Sequence, residues 1–598
     1  MRRRVYVIAL GLALAVVAPI WLLMQRPDAG KMHVFEGVRG PKAASKIVEP
    51  PGAAVADFER GGDHRLAILV TDPESGWLGL VRGFRAQGVP ITVTRDPARA
   101  LRHKVVLVYP IVSGQVLEAP QIRALAQHVR DGGTVLAFNL AGGGLEELFG
   151  VQPGAESATR TRLRWTPGTG VPEEDEIAVS SAGETRVSSI GYAATSPGTR
   201  VLARFEDGSA AAACRTVGGQ ACVLGVDLGS LAQRAMNGRA EPISRSYVNG
   251  YEPSLDVLFR WVRDLYVAGE PTPWLVSTAP AGKQVSILFT HDVDAGTSPA
   301  NSQAYADVLK ARGISGTFFI QTKYVKDYND VAFFNDAAVP HIKRLVADSM
   351  DVGSHTVAHS RKFQDMPLGT GKERYPSYHP FVESEDAVRD ASVLGELRVS
   401  KVLLEELAGA NVQSFRPGRL SYPFSLPQAL VATGYRHSSS ITANMVLSHL
   451  PFQLTDSRGD VALQPVWEFP VAIEDELPPR LGDRLPQANA LIEKIARHRG
   501  VATILIHPNV TDHKLAFEAG VADHWKDRAW MGSVAAFGDW WRARDALDAD
   551  VVVANGRPVL QVSAPQGAEA VAVIFPKANG REVRLDLPAG GRTQVALP

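Results

Sequence analysis

The sequence predicts an α/β protein in three parts: a doubly wound α/β domain, an irregular (β/α)7 barrel, and a small all-β module. Three observations predict it. From Arg65 onward, short apolar runs alternate with helical stretches; between residues 271 and 548 lie seven strand-like runs, several leading straight into acidic, basic or imidazole side chains; after 549 the pattern changes to short alternating runs broken by Gly, Pro and Asn. At 598 residues the chain is too long for one core. The expected divisions are 1–26, 27–63, 64–270, 271–548 and 549–598. Lys+Arg and Asp+Glu both total 63, and a formal net charge of zero argues against a nucleic-acid partner.

Arg2, Arg3 and Arg4 precede an uncharged, mostly apolar run from Val5 to Met24, and Arg26 follows. About 20 apolar residues suffice for a helix to cross the hydrocarbon layer, and the positive cluster would keep the N-terminus cytoplasmic. Residues 1–26 therefore read as a single-pass membrane anchor, with the bulk of the chain on the periplasmic side. The rival reading is a signal peptide processed at Ala13-Leu14-Ala15, giving a secreted protein. Residues 27–63, rich in Gly, Pro, Ala and charge, read as a linker.

In 64–270 the runs RLAILV, PITVTRD, KVVLVYP and TVLAFNL are short enough for strands, and WLGLVRGFRAQG and PQIRALAQHVRDGG between them are helical. Such alternation implies a parallel sheet. The final strand–turn, GGTVLAFNLAGGG, resembles the class I glutamine amidotransferase-like (flavodoxin-like) fold, with Asn139 where catalytic members carry a cysteine. The resemblance implies the fold without that chemistry. Cys214 and Cys222 flank the hairpin signal Gly218-Gly219; they are either a cross-strand disulfide or two buried thiols.

In 271–548 the seven runs are VSILFT, GTFFI, MDVGS, VQSF, YRHSSSI, VWEFPV and VATILI. A parallel α/β barrel builds its active site at the C-terminal ends of its strands. The residues found there are Asp292 and Asp294, His355 and His359, Arg416, Glu468, and His507. His355 and His359 are four apart, so both rings can leave one face of a helical turn and suit a divalent metal. His291 points to the other side of an extended chain. The long polar stretch 361–385 is expected to cover the site and shape selection. Trp540 and Trp541 read as core.

This block resembles the polysaccharide deacetylase family, the NodB-like carbohydrate esterases. The motifs that carry the resemblance are FTHDVD, a D-x-D form of the family's paired aspartates; His355-Thr356-Val357-Ala358-His359; Phe415-Arg416-Pro417-Gly418; VWEFP; and Leu505-Ile506-His507. The resemblance implies that Asp294, His355 and His359 bind a metal, zinc by its mixed ligand set, with cobalt or nickel acceptable. Asp292 is then the general base and Arg416 keeps it ionised; His507 is the general acid and Glu468 aims it. Spacing alone leaves Asp292 and Asp294 exchangeable. The implied reaction is hydrolysis of N-acetyl groups on an extracytoplasmic polysaccharide, an exopolysaccharide or cell-wall glycan. The expected partners are that glycan, the membrane through one helix, and polysaccharide-assembly proteins. The contrasting reading is a non-catalytic glycan-binding or assembly protein that retains the barrel.

Overall fold

A computed structural model describes residues 30–181, 185–243, 247–328, 331–459 and 462–598. Its first sheet runs parallel through Ile91–Thr94, Leu66–Val70, Val105–Val112, Thr134–Leu140 and Gly219–Leu224. These strands are covered on both faces, which is why they read as continuous apolar runs. Helices Trp77–Ala86, Ala119–Arg130 and Ser254–Gly269 accompany them, giving the doubly wound part. The sheet then continues antiparallel through Ala210–Val217, Thr199–Phe205, Arg162–Trp165 and Glu176–Ala178. Cys214 and Cys222 are direct cross-strand partners and form a disulfide.

All seven runs of the second block become strands of one curled sheet. Its parallel order is Leu463–Glu468, His437–Ser438, Ser414–Phe415, Asp351–Ser354, Thr317–Ile320, Val285–Val293, Val501–Ile506 and Val471–Ile473. An isolated bridge from Thr442, just past His437–Ser438, reaches Val471 on the edge strand at the far end of the order. The run VWEFPV is thus two strands, divided at Phe469-Pro470, because proline cannot donate to a sheet ladder. Helices such as Ser298–Lys310, Val393–Ala408 and Leu485–Ala496 lie outside. Trp541 is fully buried, while Trp540 is half-buried.

The C-terminal strands form two small sheets. One is Asp548–Ala554, Arg557–Ala564 and Gly591–Ala596; the other joins Ala568–Phe575 and Arg581–Leu587 to Leu275–Val276, which precedes the barrel. Trp274, Leu560, Val562, Val571 and Phe575 fill the space between them. Arg544, buried, donates to the carbonyls of Arg85 and Ser277, so one guanidinium ties the barrel's last helix to the first domain and to the sandwich. Residues 30–63 form little regular structure; their first part lies along the barrel, where Arg398 donates to Pro41 O and Ala43 O at 2.7 and 2.6 Å, and their last part along the first sheet, where Thr92 Oγ1 donates to Arg60 O at 2.9 Å.

The expected anchor, Val5–Met24, lies outside the described residues. Among the described residues no helix is long and apolar enough to cross a membrane. The longest, Ser254–Gly269 and Val393–Ala408, have 16 residues each, a rise of roughly 24 Å against a hydrocarbon layer of about 30 Å. The transmembrane helix, the membrane as partner and the single-pass placement are therefore corrected: the structure gives them no support.

Candidate functional site

The C-terminal ends of the barrel strands surround an open cavity of about 620 Å³. Alternation along Val285–Val293 turns Thr290 and Asp292 to one side, where both accept from Arg416 Nη1, at 2.9 and 2.8 Å. His291 takes the other side, its Nε2 2.5 Å from Glu518 and its ring stacked on Phe318. It is a structural residue.

His355 and His359 do not leave a helical turn. After strand Asp351–Ser354 the chain bends with Thr356 at φ 67° and His359 at φ 55°. Such backbone is held only where its surroundings impose it. Here Glu396, fully buried, accepts from the N–H groups of Val357 and Ala358, both at 2.8 Å, and from the Tyr378 hydroxyl at 2.8 Å. Burial pushes the Glu396 pKa up to about 7. Gly418 completes the restraint: a Cβ there would lie 2.5 Å from the His359 ring. Glu396→Ala strands two buried N–H groups and is expected to cost about 2–4 kcal/mol. A thermal melt would show the loss of stability, and metal analysis a weakened hold on cation.

Arg416 is fully buried, and each of its three nitrogens donates. Besides Thr290 and Asp292 it donates to Ser439 O and Oγ, at 2.9 and 2.7 Å, and its guanidinium lies over the Phe319 ring. Burial alone would raise the Asp292 pKa; the charge and hydrogen bond of Arg416, with the charge of His507, outweigh it and hold the carboxyl below its ordinary value.

Asp294, His355 and His359 bring one potential ligand atom each to within 4.8 Å of one another. His355 Nδ1 is 2.9 Å from the Arg416 carbonyl, which fixes its proton there and leaves Nε2 as a lone pair. That Nε2 is buried and lacks a hydrogen-bond partner among the described residues. Burial lowers the pKa of both histidines, keeping them neutral, as ligands must be. Burial also raises that of Asp294, against the opposing charge of His507. Two neutral imidazoles, one of them with the orphaned Nε2, and a carboxylate fit a divalent cation. The arrangement separates Asp294, 3.4 Å from His359 Nε2, from Asp292, which Arg416 occupies.

His507 follows strand Val501–Ile506 and faces the cavity. Its partner is not Glu468. Nδ1 lies 2.6 Å from Asp475, whose other oxygen accepts from the His507 N–H at 2.7 Å and from Lys514 Nζ at 2.7 Å. Strand order gives the reason: Val471–Ile473 neighbours Val501–Ile506, so Asp475 emerges beside His507, whereas Glu468 ends a strand paired with His437–Ser438. Glu468 accepts from the N–H groups of Ser440 and Ile441, at 2.5 and 2.9 Å, and so braces the turn that seats Arg416. Burial pushes its pKa up to about 7. Of the 361–385 stretch, Glu385 lines the cavity, while Tyr375 turns to the N-terminal segment and donates to His33 O at 2.9 Å.

Residues 279–438 match the family model described as Polysaccharide deacetylase. Over those residues the barrel is similar to the polysaccharide deacetylase family. Three solved structures are among those similar to this chain. A Mycobacterium smegmatis protein assigned as a polysaccharide deacetylase is 17% identical, with 44% of this chain and 94% of that one covered and a TM-score of 0.33. A family 4 carbohydrate esterase from Streptococcus mutans is 16% identical, with 42% and 86% covered and a TM-score of 0.27. A mutant peptidoglycan deacetylase from Bacillus subtilis is 15% identical, with 44% and 94% covered and a TM-score of 0.26. No curated protein matches the chain. The deacetylase match includes Asp292, Asp294, His355, His359 and Arg416 and ends before Glu468, Asp475 and His507, whose places rest on the geometry above.

Proposed function

We propose that the barrel removes N-acetyl groups from a polysaccharide by metal-dependent hydrolysis. The observation that carries this is the convergence of Asp294 and His359 on the orphaned Nε2 of His355, beside an ionised Asp292. Those three side chains would hold the cation, with zinc favoured by the mixed nitrogen and oxygen donors. When bound, a divalent ion polarises an acetyl carbonyl and lowers the pKa of water.

The chain's own groups supply the proton transfers. Arg416 pins Oδ1 of Asp292 at 2.8 Å, which leaves Oδ2 on the cavity side, 3.8 Å from His355 Nε2. Asp292 is the base that takes the proton from water. His507, across the cavity, has Nδ1 engaged by Asp475 and Nε2 3.7 Å from Asp294. Burial alone would lower its pKa, but the charge and hydrogen bond of Asp475 push it up to about 9. It is therefore protonated near neutrality and gives its proton to the departing amine. A glycan outside the cytoplasm is the proposed substrate, consistent with the Cys214–Cys222 disulfide, a bond that persists in oxidising compartments.

The test is acetate release from an N-acetylglucosamine polymer by the full-length protein. Chelation is expected to stop release and added zinc or cobalt to restore it. A metal-loaded protein inert toward every acetylated glycan tried would defeat the reading.

A further inference from the structure

We propose that Tyr247, which belongs to the chain before the barrel, is a sugar-binding wall of the barrel's cavity. The glycan would then be gripped by two parts of the protein rather than by the barrel alone. This rests on the deacetylase reading for its ligand class.

Tyr247 lies seven residues before helix Ser254–Gly269, whose chain also built the first sheet, yet it lines the same cavity as Asp294, His355 and His359. A reciprocal clamp two residues on holds it there. Asn249 Nδ2 donates to Glu474 Oε1 at 2.6 Å, and the Glu474 N–H donates to Asn249 Oδ1 at 2.8 Å. Asn249 has φ 50°, a conformation that asparagine tolerates better than most residues. Glu474 is itself held, since Arg484 donates to its carbonyl at 2.6 Å. The clamped residue directly precedes Asp475, the partner of His507. The segment bearing Tyr247 is thus attached to the loop that orients the acid, not loosely laid over the barrel.

The chemistry of the wall points to its ligand. Apart from Tyr247, the described side chains around the cavity are imidazoles, charged or amide groups and a few small aliphatic ones. A pyranose has hydroxyls at its rim and C–H groups on its faces. The polar residues can meet the rim, and the Tyr247 ring, on the cavity wall, can meet a face. A volume of about 620 Å³ lies within the range of roughly 300–1,000 Å³ usual for ligand sites.

The experiment measures binding of the N-acetylglucosamine tetramer to chelator-treated, full-length protein, alongside acetate release from the same tetramer by the zinc-loaded form. Tyr247→Ala is expected to weaken binding and to raise KM by roughly tenfold, with a smaller change in kcat. Tyr247→Phe keeps the ring and should stay within about threefold of wild type. Asn249→Ala, which undoes the clamp, should weaken binding in the same direction. Thermal melts confirm that each variant folds. Tetramer binding by Tyr247→Ala as tight as wild type would overturn the proposal, as would a wild type that binds none. Tyr247-dependent binding without acetate release would support the wall while the deacetylase reading fails. Acetate release indifferent to Tyr247 would do the reverse.

Discussion

Asp292→Asn and His355→Ala should both silence the protein, but in distinguishable ways. Asp292→Asn is expected to lower kcat by about 10²–10⁴-fold, the usual contribution of a positioned base, while leaving bound metal near wild-type stoichiometry. His355→Ala is expected to lose metal and activity together. The difference follows from where the two side chains are engaged. Asp292 spends Oδ1 on Arg416 and stands outside the cluster of ligand atoms, whereas His355 Nε2 has no partner among the described residues. Asp292→Asn also leaves the buried Arg416 guanidinium without its counter-charge, so a lowered melting temperature belongs to the expected result. Metal analysis on both variants decides the matter. If Asp292→Asn lost its metal, the two carboxylates would have to exchange roles; if His355→Ala kept it, His355 would not be a ligand.

The barrel was legible because its longest strands are apolar runs that end in, or lead straight to, their chemical residues. VSILFT leads to Asp292 and Asp294, MDVGS to His355, VATILI to His507. Local pattern could not supply the pairing of loops that are distant in sequence. Glu468 stood as the partner of His507 because VWEFP resembles the family's motif at that place; with Pro470 dividing the run, Val471–Ile473 is a separate strand and Asp475 follows it. Reading that proline as a break would have found Asp475. Glu396 left no such signal, since it sits inside helix Val393–Ala408 and acts on backbone N–H groups nearly forty residues earlier. The HxxxH spacing misled for the same reason: four residues can be bridged by a strained bend as well as by a helical turn, and a distant carboxylate selects the bend.

Asp475→Asn should reshape the pH profile as well as the rate. In the native site Asp475 gives His507 both a full negative charge and a hydrogen bond, against a burial effect that lowers the imidazole pKa. Asparagine removes the charge. Acid catalysis requires the protonated ring, so wild-type activity is expected to persist upward in pH and fall through about 9. In Asp475→Asn the alkaline fall should move down to near or below the ordinary histidine value of about 6.5, with kcat at neutral pH reduced by about 10²–10⁴-fold. Stability carries the same sign. A histidine whose folded pKa is raised contributes stability that is complete below its unfolded value and is lost as pH rises through the folded one, here about 9. Melting temperature measured from pH 6 to 10 should therefore slope downward more steeply in wild type than in Asp475→Asn. A variant with an unmoved alkaline limb would show that some group other than His507 delivers the proton, and Lys514, which shares Asp475 at 2.7 Å, would be the next to replace.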